Sequence, residues 1–178
     1  MATSQDMRAF QQLLGILPEA RPTHSEQLER VVLTRHVTTY LRRQAALHAP
    51  SRTGLLFGCT RDDTLKVTLA MNAALPSVPF RPEQLTVNAA HLLGASEALG
   101  LAYGGRIDWC GVWVIPSGGL FGPATQDAPL VRQAEERGYI DDRAVLLTAG
   151  FEEGTLMARA YLGLRLADPL DLPVEFGV

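Results

Sequence analysis

Apolar positions along this chain alternate between two periods. The run Val31-Val32-Leu33 reads as a short strand, and 34–47 reads as a helix with Val37, Tyr40, Leu41 and Ala45 on one face, closed by Pro50. Two strands follow at 53–60 and 64–72, joined by the turn Arg61-Asp62-Asp63. A helix is predicted to start at Pro82, a residue tolerated in a first turn, and to reach Leu99 with Leu85, Leu92 and Leu93 facing inward. The stretch 107–116 is apolar enough for a central strand, and a helix over 126–138 precedes two more strands at 144–149 and 155–164. Before all of this, Met7, Phe10, Leu13, Leu14 and Leu17 give 4–17 the pattern of an amphipathic helix. The expected fold is α/β (α+β), a single mixed sheet flanked by helices. The expected organisation is an N-terminal helix and linker over 1–25, one domain over 26–166 and a Pro-rich, extended tail over 167–178.

Composition narrows the function more than the fold. At 178 residues and 47% hydrophobic content the chain can bury a sizeable core. It contains no apolar run of about 18 residues, and MATSQDMRAF lacks the pattern of a secretory signal, so the expected location is cytoplasmic with no membrane partner. Net charge is −3 and the basic residues form no cluster larger than Arg42-Arg43, which disfavours nucleic acid as a partner. Lys66 is the single lysine among 16 basic residues, a bias that suggests a GC-rich bacterial gene. Cys59 and Cys110 are far apart and sit in strand-like runs, so they read as buried thiols in a reducing compartment.

The segment 111–127, GVWVIPSGGLFGPATQD, has the outline of a site: a buried strand, a proline, a glycine-rich loop and a helix start. Catalytic side chains are missing from it. Ser117, Gly118 and Gly119 could form an anion-binding backbone nest, although a plain turn explains them more simply. Asp127 reads best as a helix-capping carboxylate. Trp109 and Trp113, four positions apart, share a face if the strand is regular, and an aromatic pair there would suit peptide contact. His24, His36, His48 and His91 lack the context of a catalytic base, and the paired carboxylates such as Glu135-Glu136 read as solvated.

From about Val31 to Leu164 the chain resembles the JAB/MPN (JAMM) metalloprotease domain. Residues 51–58, SRTGLLFG, are similar to that family's E-x-x-G-L-L-x-G strand, and PFRPEQL with the helix ending in ALGLAYGG is similar to the helix leading to its central strand. The 111–127 segment is similar to its G-x-x-H-x-H-P loop followed by S-x-x-D. The resemblance implies a JAB/MPN, cytidine deaminase-like architecture with the catalytic positions replaced. The water-activating glutamate falls at Ser51, the two histidine ligands at Trp113 and Ile115, and the oxyanion serine at Ala124. The aspartate ligand is kept as Asp127 and the proline as Pro116, while the loop 117–123 is one residue longer than the family spacing.

Neither indole nor an alkyl side chain can ligate zinc, and one aspartate cannot hold a catalytic ion alone, so no metal or other cofactor is expected. The resemblance implies a pseudo-metalloprotease: a protein-interaction or scaffold module, expected to pair with a protein partner or as a homodimer. The expected binding cleft comprises Trp109, Trp113, Ile115, Ser117, Gly118, Gly119 and Asp127. Two rival readings stand beside it. One is a hydrolase with a rebuilt site drawn from Asp108, Asp127, Ser117 and His91. The other is a small-molecule or anion binder using the SGG loop.

Overall fold

The computed structural model describes residues 28–47, 50–73, 85–163 and 170–177. The N-terminal helix read at 4–17 lies outside them. Strand β1 (Arg30–Leu33) leads into helix α1 (Arg35–Ala45), then the hairpin β2 (Arg52–Arg61) and β3 (Thr64–Asn72), then α2 (Ala89–Tyr103). The central strand β4 (Asp108–Ile115) is followed by single 3-10 turns at Ser117–Gly119 and Ala124–Gln126, helix α3 (Ala128–Glu136) and the hairpin β5 (Val145–Glu152) and β6 (Thr155–Leu162). Two three-residue strands, β7 (Leu170–Leu172) and β8 (Val174–Phe176), complete the order.

Among the described residues eight strands join one mixed sheet in the order β7-β6-β5-β4-β2-β3-β1-β8. The first and last strands of that order are separated in sequence only by Pro173. β7 pairs antiparallel with β6 and β8 pairs parallel with β1, so one seven-residue segment covers both edges. The Pro173 carbonyl accepts from the Val31 N–H at 3.0 Å. Residues 170–177, set apart as a tail in the sequence, therefore belong to the sheet. They nearly close it and cover part of each edge, at Ala160–Leu162 of β6 and Val31–Leu33 of β1.

The sheet buries two cores. On one face α1 presses Val37, Leu41 and Ala45 onto Leu33, Trp113, Ile115 and Leu147. On the other, α2 and α3 supply Leu92, Val131 and Ala134 to Phe57, Trp109, Val112 and Leu146. The two tryptophans of β4 thus lie on opposite faces, against the expectation of a shared one. The cause is a bulge: Leu56 pairs with Gly111 but Phe57 pairs with Trp109, leaving Cys110 as the extra residue. One inserted residue inverts the alternation beyond it. Gly111 takes φ +140° there, and a Cβ on it would stand 2.0 Å from the Val145 carbonyl oxygen, so only glycine fits.

Helix α2 starts at Ala89 rather than near Pro82. The Asn88 side chain caps it, accepting from the His91 N–H at 3.0 Å, and Gly104 ends it in the left-handed conformation. The preceding residues are held by other partners. The Leu85 N–H donates to Gln133 Oε1 at 3.2 Å, and the Asn88 N–H donates to the Ala73 carbonyl at 3.2 Å.

Candidate functional site

Antiparallel pairing of β2 with β4 sets Arg52 opposite Ile115, which brings Ser51 beside the open end of the central strand. The positions there are filled with apolar side chains. Trp113 is 0% exposed and Ile115 is 2% exposed, both within the α1 core. The Trp113 indole donates to the Met71 carbonyl at 3.0 Å and packs edge-on against Tyr40, with ring centroids 5.9 Å apart. Trp109, 4% exposed, donates its indole N–H to the Gly111 carbonyl at 2.7 Å on the far face.

Asp127 also departs from expectation. It is 4% exposed and sits at the start of α3, yet its carboxylate makes no cap hydrogen bond. It turns instead to the sheet. Oδ2 accepts from Thr148 Oγ1 at 2.9 Å, Tyr161 Oη at 2.8 Å and Arg159 Nε at 3.1 Å. The guanidinium of Arg159 further donates to the Gly122 carbonyl and lies over the Phe121 ring, 4.1 Å from its centroid. Four groups from β5, β6 and the loop thereby clamp residues 121–127 onto the sheet. Charge-assisted hydrogen bonds of this kind are the strong ones, and the buried pair is satisfied on both sides. Burial raises the Tyr161 phenol well above its ordinary value, and the hydrogen bond to Asp127 and its negative charge add to the shift.

The sides of the sheet settle which residues meet. Leu147, Ala149, Ala160 and Leu162 face α1, so the alternating Thr148, Arg159 and Tyr161 face α2 and α3. Asp127 joins that second side, across the sheet from Trp113 and Ile115. The β4 residues on its own side are Trp109, Val112 and Val114, of which the two valines are nearer the strand's C-terminal end. The expected cleft of Trp109, Trp113, Ile115 and Asp127 is therefore corrected to four buried side chains divided between two cores. A guanidinium 3.1 Å from the Asp127 carboxylate opposes a second cation there. Among the described residues no group of three His, Cys, Asp or Glu side chains converges.

Ala124 is exposed in its 3-10 turn, and Ser117 is exposed at the start of the other. Gly118 and Gly119 follow it, and the Gly119 N–H is bonded to the Pro116 carbonyl at 3.0 Å, which closes the loop as a turn. The residues proposed for a rebuilt hydrolase are also dispersed. Asp108 and Ser117 flank opposite ends of β4, roughly 25–30 Å apart for an extended strand. His91 Nε2 lies 3.1 Å from the Asn72 carbonyl oxygen.

Sequence reasoning missed Thr148, Arg159 and Tyr161. An arginine flanked by alanines within an otherwise apolar strand was the available sign of a buried anionic partner.

A second feature is open to solvent. Along the outward side of α1 a groove of about 500 Å³ is lined, among the described residues, by Arg35, His36, Thr39, Tyr40 and Arg43.

No family profile matches the chain, and no curated protein does. Among solved structures, the solution structure of protein DSY2949 from Desulfitobacterium hafniense is similar. It has 16% identity over 82% of this chain and 92% of that chain, with a TM-score of 0.60. At that identity the likeness shows a shared fold alone: a mixed α+β architecture, with a nearly closed eight-stranded sheet and three helices among the described residues here. No helix among the described residues is long and apolar enough to cross a membrane.

Proposed function

We propose that this chain is a non-catalytic JAB/MPN-like domain that works in the cytoplasm by binding, with a protein partner or a second copy of itself. The observation that carries this reading is the state of Asp127. The one ligand position kept in the sequence is tied to Arg159, Thr148 and Tyr161 instead of facing an open site. Trp113 and Ile115 fill the positions that the resemblance assigns to histidine ligands, and both are core residues. A carboxylate paired with a guanidinium stabilises a loop; it neither activates water nor holds a metal. Cys59 and Cys110 are both thiols, which suits a reducing compartment.

The test is elemental analysis of protein purified without chelator or metal-affinity tag. The expected result is zinc far below one ion per chain and no cleavage of an isopeptide-linked substrate. About one zinc per chain, lost together with activity in Asp127→Ala, would overturn the reading. Light scattering across a dilution series measures the self-association half of the proposal.

A further inference from the structure

The outward side of α1 is a concentrated cationic surface on a chain of net charge −3. Arg35, His36, Thr39, Arg42 and Arg43 are exposed, and the helix carries no acidic residue. Elsewhere three arginines have carboxylate partners, Arg159 with Asp127, Arg30 with Glu175 and Arg143 with Asp142, and Arg52, Arg106 and Arg137 donate to amide or carbonyl oxygens. Among the described residues Arg35, Arg42 and Arg43 have none.

Three of the groove residues form a stripe. Arg35, Thr39 and Arg43 are spaced four apart, so their side chains stand above one another on one face. The two arginines are separated by about 12 Å along the helix axis at 1.5 Å per residue. Between them Tyr40 supplies a fixed wall. Its hydroxyl donates to Asn72 Oδ1 at 2.9 Å and its ring is wedged against Trp113.

We propose that this groove binds an extended acidic peptide segment of a protein partner, with carboxylates about four residues apart paired to Arg35 and Arg43. The spacing favours that ligand. An extended chain advances roughly 3.3 Å per residue, so four residues span about the distance between the arginines. A single small anion occupies one guanidinium fork and leaves the other unmatched. Arginine forks recognise carboxylates in two-pronged fashion, and Thr39 and Tyr40, which fall between the two arginines along the helix, line the same groove. A basic surface limited to one helix, on an acidic chain, favours a peptide over a nucleic acid. This site names the partner class for the binding role proposed above and rests on that reading.

The experiment uses the full chain and a fluorescein-labelled peptide of roughly nine residues, with glutamates four apart in a Ser/Gly background. Fluorescence anisotropy is expected to show saturable, salt-weakened binding that the matching glutamine peptide lacks. The double variant Arg35→Gln/Arg43→Gln, altered only at exposed positions, is expected to bind roughly tenfold more weakly. Circular dichroism confirms that this variant is folded. No saturable binding, equal binding of the glutamine peptide, or an unchanged affinity in the double variant overturns the proposal. So does preferential binding of inorganic phosphate or of a single-stranded oligonucleotide, either of which would mark a different anion class. Zinc content is independent of this assay, so a metal-loaded chain would sink the non-catalytic reading while the peptide result stood by itself.

Discussion

The indole of Trp113 crosses directly over Gly54. These residues are paired across β4 and β2, and the ring continues past the glycine to hydrogen-bond the Met71 carbonyl on β3 at 3.0 Å. A Cβ at position 54 would stand 2.1 Å from Trp113 Nε1 and 2.0 Å from the Met71 oxygen. Three strands are thus tied by one side chain that requires an empty position beneath it. Gly54→Ala is expected to cost about 2–4 kcal/mol, at the upper end of overpacking effects because one of the obstructing atoms is backbone. Trp113→Leu removes the indole from above Gly54 and leaves a cavity, while the Met71 carbonyl stays in place. In a double-mutant cycle by urea denaturation the two changes should be non-additive, with Gly54→Ala costing less in the leucine background, the remainder coming from the Met71 carbonyl. Additive costs would mean that the strain at Gly54 does not come from the indole.

The clamp at Asp127 gives a second cycle. Asp127→Ala strands the Arg159 guanidinium, whose side chain is 19% exposed, together with the Tyr161 hydroxyl. Removing one partner of a largely buried pair typically costs about 3–5 kcal/mol. Exposure of Arg159 places the expected loss near the lower figure. Replacing both partners in Asp127→Ala/Arg159→Met should cost less than the single aspartate change, since no charge is then left unpaired. If the double variant is the less stable of the two in denaturant melts, the pair contributes more than mutual neutralisation.

Alkaline pH probes the same cluster through Tyr161. Burial first, then the hydrogen bond and the charge of Asp127, raises its phenol above the ordinary value of 10.0. An unfolded tyrosine therefore releases its proton at lower pH than the folded one. Above about pH 10 the folded state holds more protons than the unfolded state, so this contribution is complete below pH 10 and declines as pH rises. Tyr40 is shifted the same way, by burial, and adds a parallel decline. The urea midpoint of the wild type should fall between pH 10 and 11 more steeply than that of Tyr161→Phe. Identical slopes would mean that Tyr161 does not report the cluster.

Six strands and three helices were legible in the sequence because each carries enough residues to display its period. The apolar run ending in Pro116 reads as a buried strand and is one. What it hides is the extra residue at Cys110, which sends Trp109 and Trp113 to opposite cores; Gly111 is the only trace a reader could have noticed. Asp127 was misplaced for a related reason. Its position before a helix predicts a cap, but the strands that supply Thr148, Arg159 and Tyr161 lie 21 to 34 residues away, and sequence spacing carries no sign of that approach. Helix α2 was drawn too long because the bonds that keep Leu85 and Asn88 out of it come from Gln133 and Ala73.

Strands β7 and β8 were illegible for a different reason, and they yield the last prediction. Three residues on either side of Pro173 are too short to show a period, and what makes them strands is the pair of edges they cover. Leu172 joins the α1 core, and the Gly177 N–H bonds the Leu33 carbonyl at 2.7 Å. Deleting residues 170–178 uncovers the edges of β1 and β6 together, leaving unpaired N–H and C=O groups available to another chain. The truncated protein is expected to lose at least about 3 kcal/mol of stability, through lost ladder hydrogen bonds and the exposed core around Leu172. It should also self-associate with rising concentration. Size-exclusion chromatography with light scattering measures the second effect and urea denaturation the first. A truncated chain that stays at the wild-type oligomeric state and melts with it would mean that this segment is not what closes the sheet in solution. Adding back a synthetic peptide of residues 168–178 is expected to restore stability with saturation, because the peptide binds only the folded sheet.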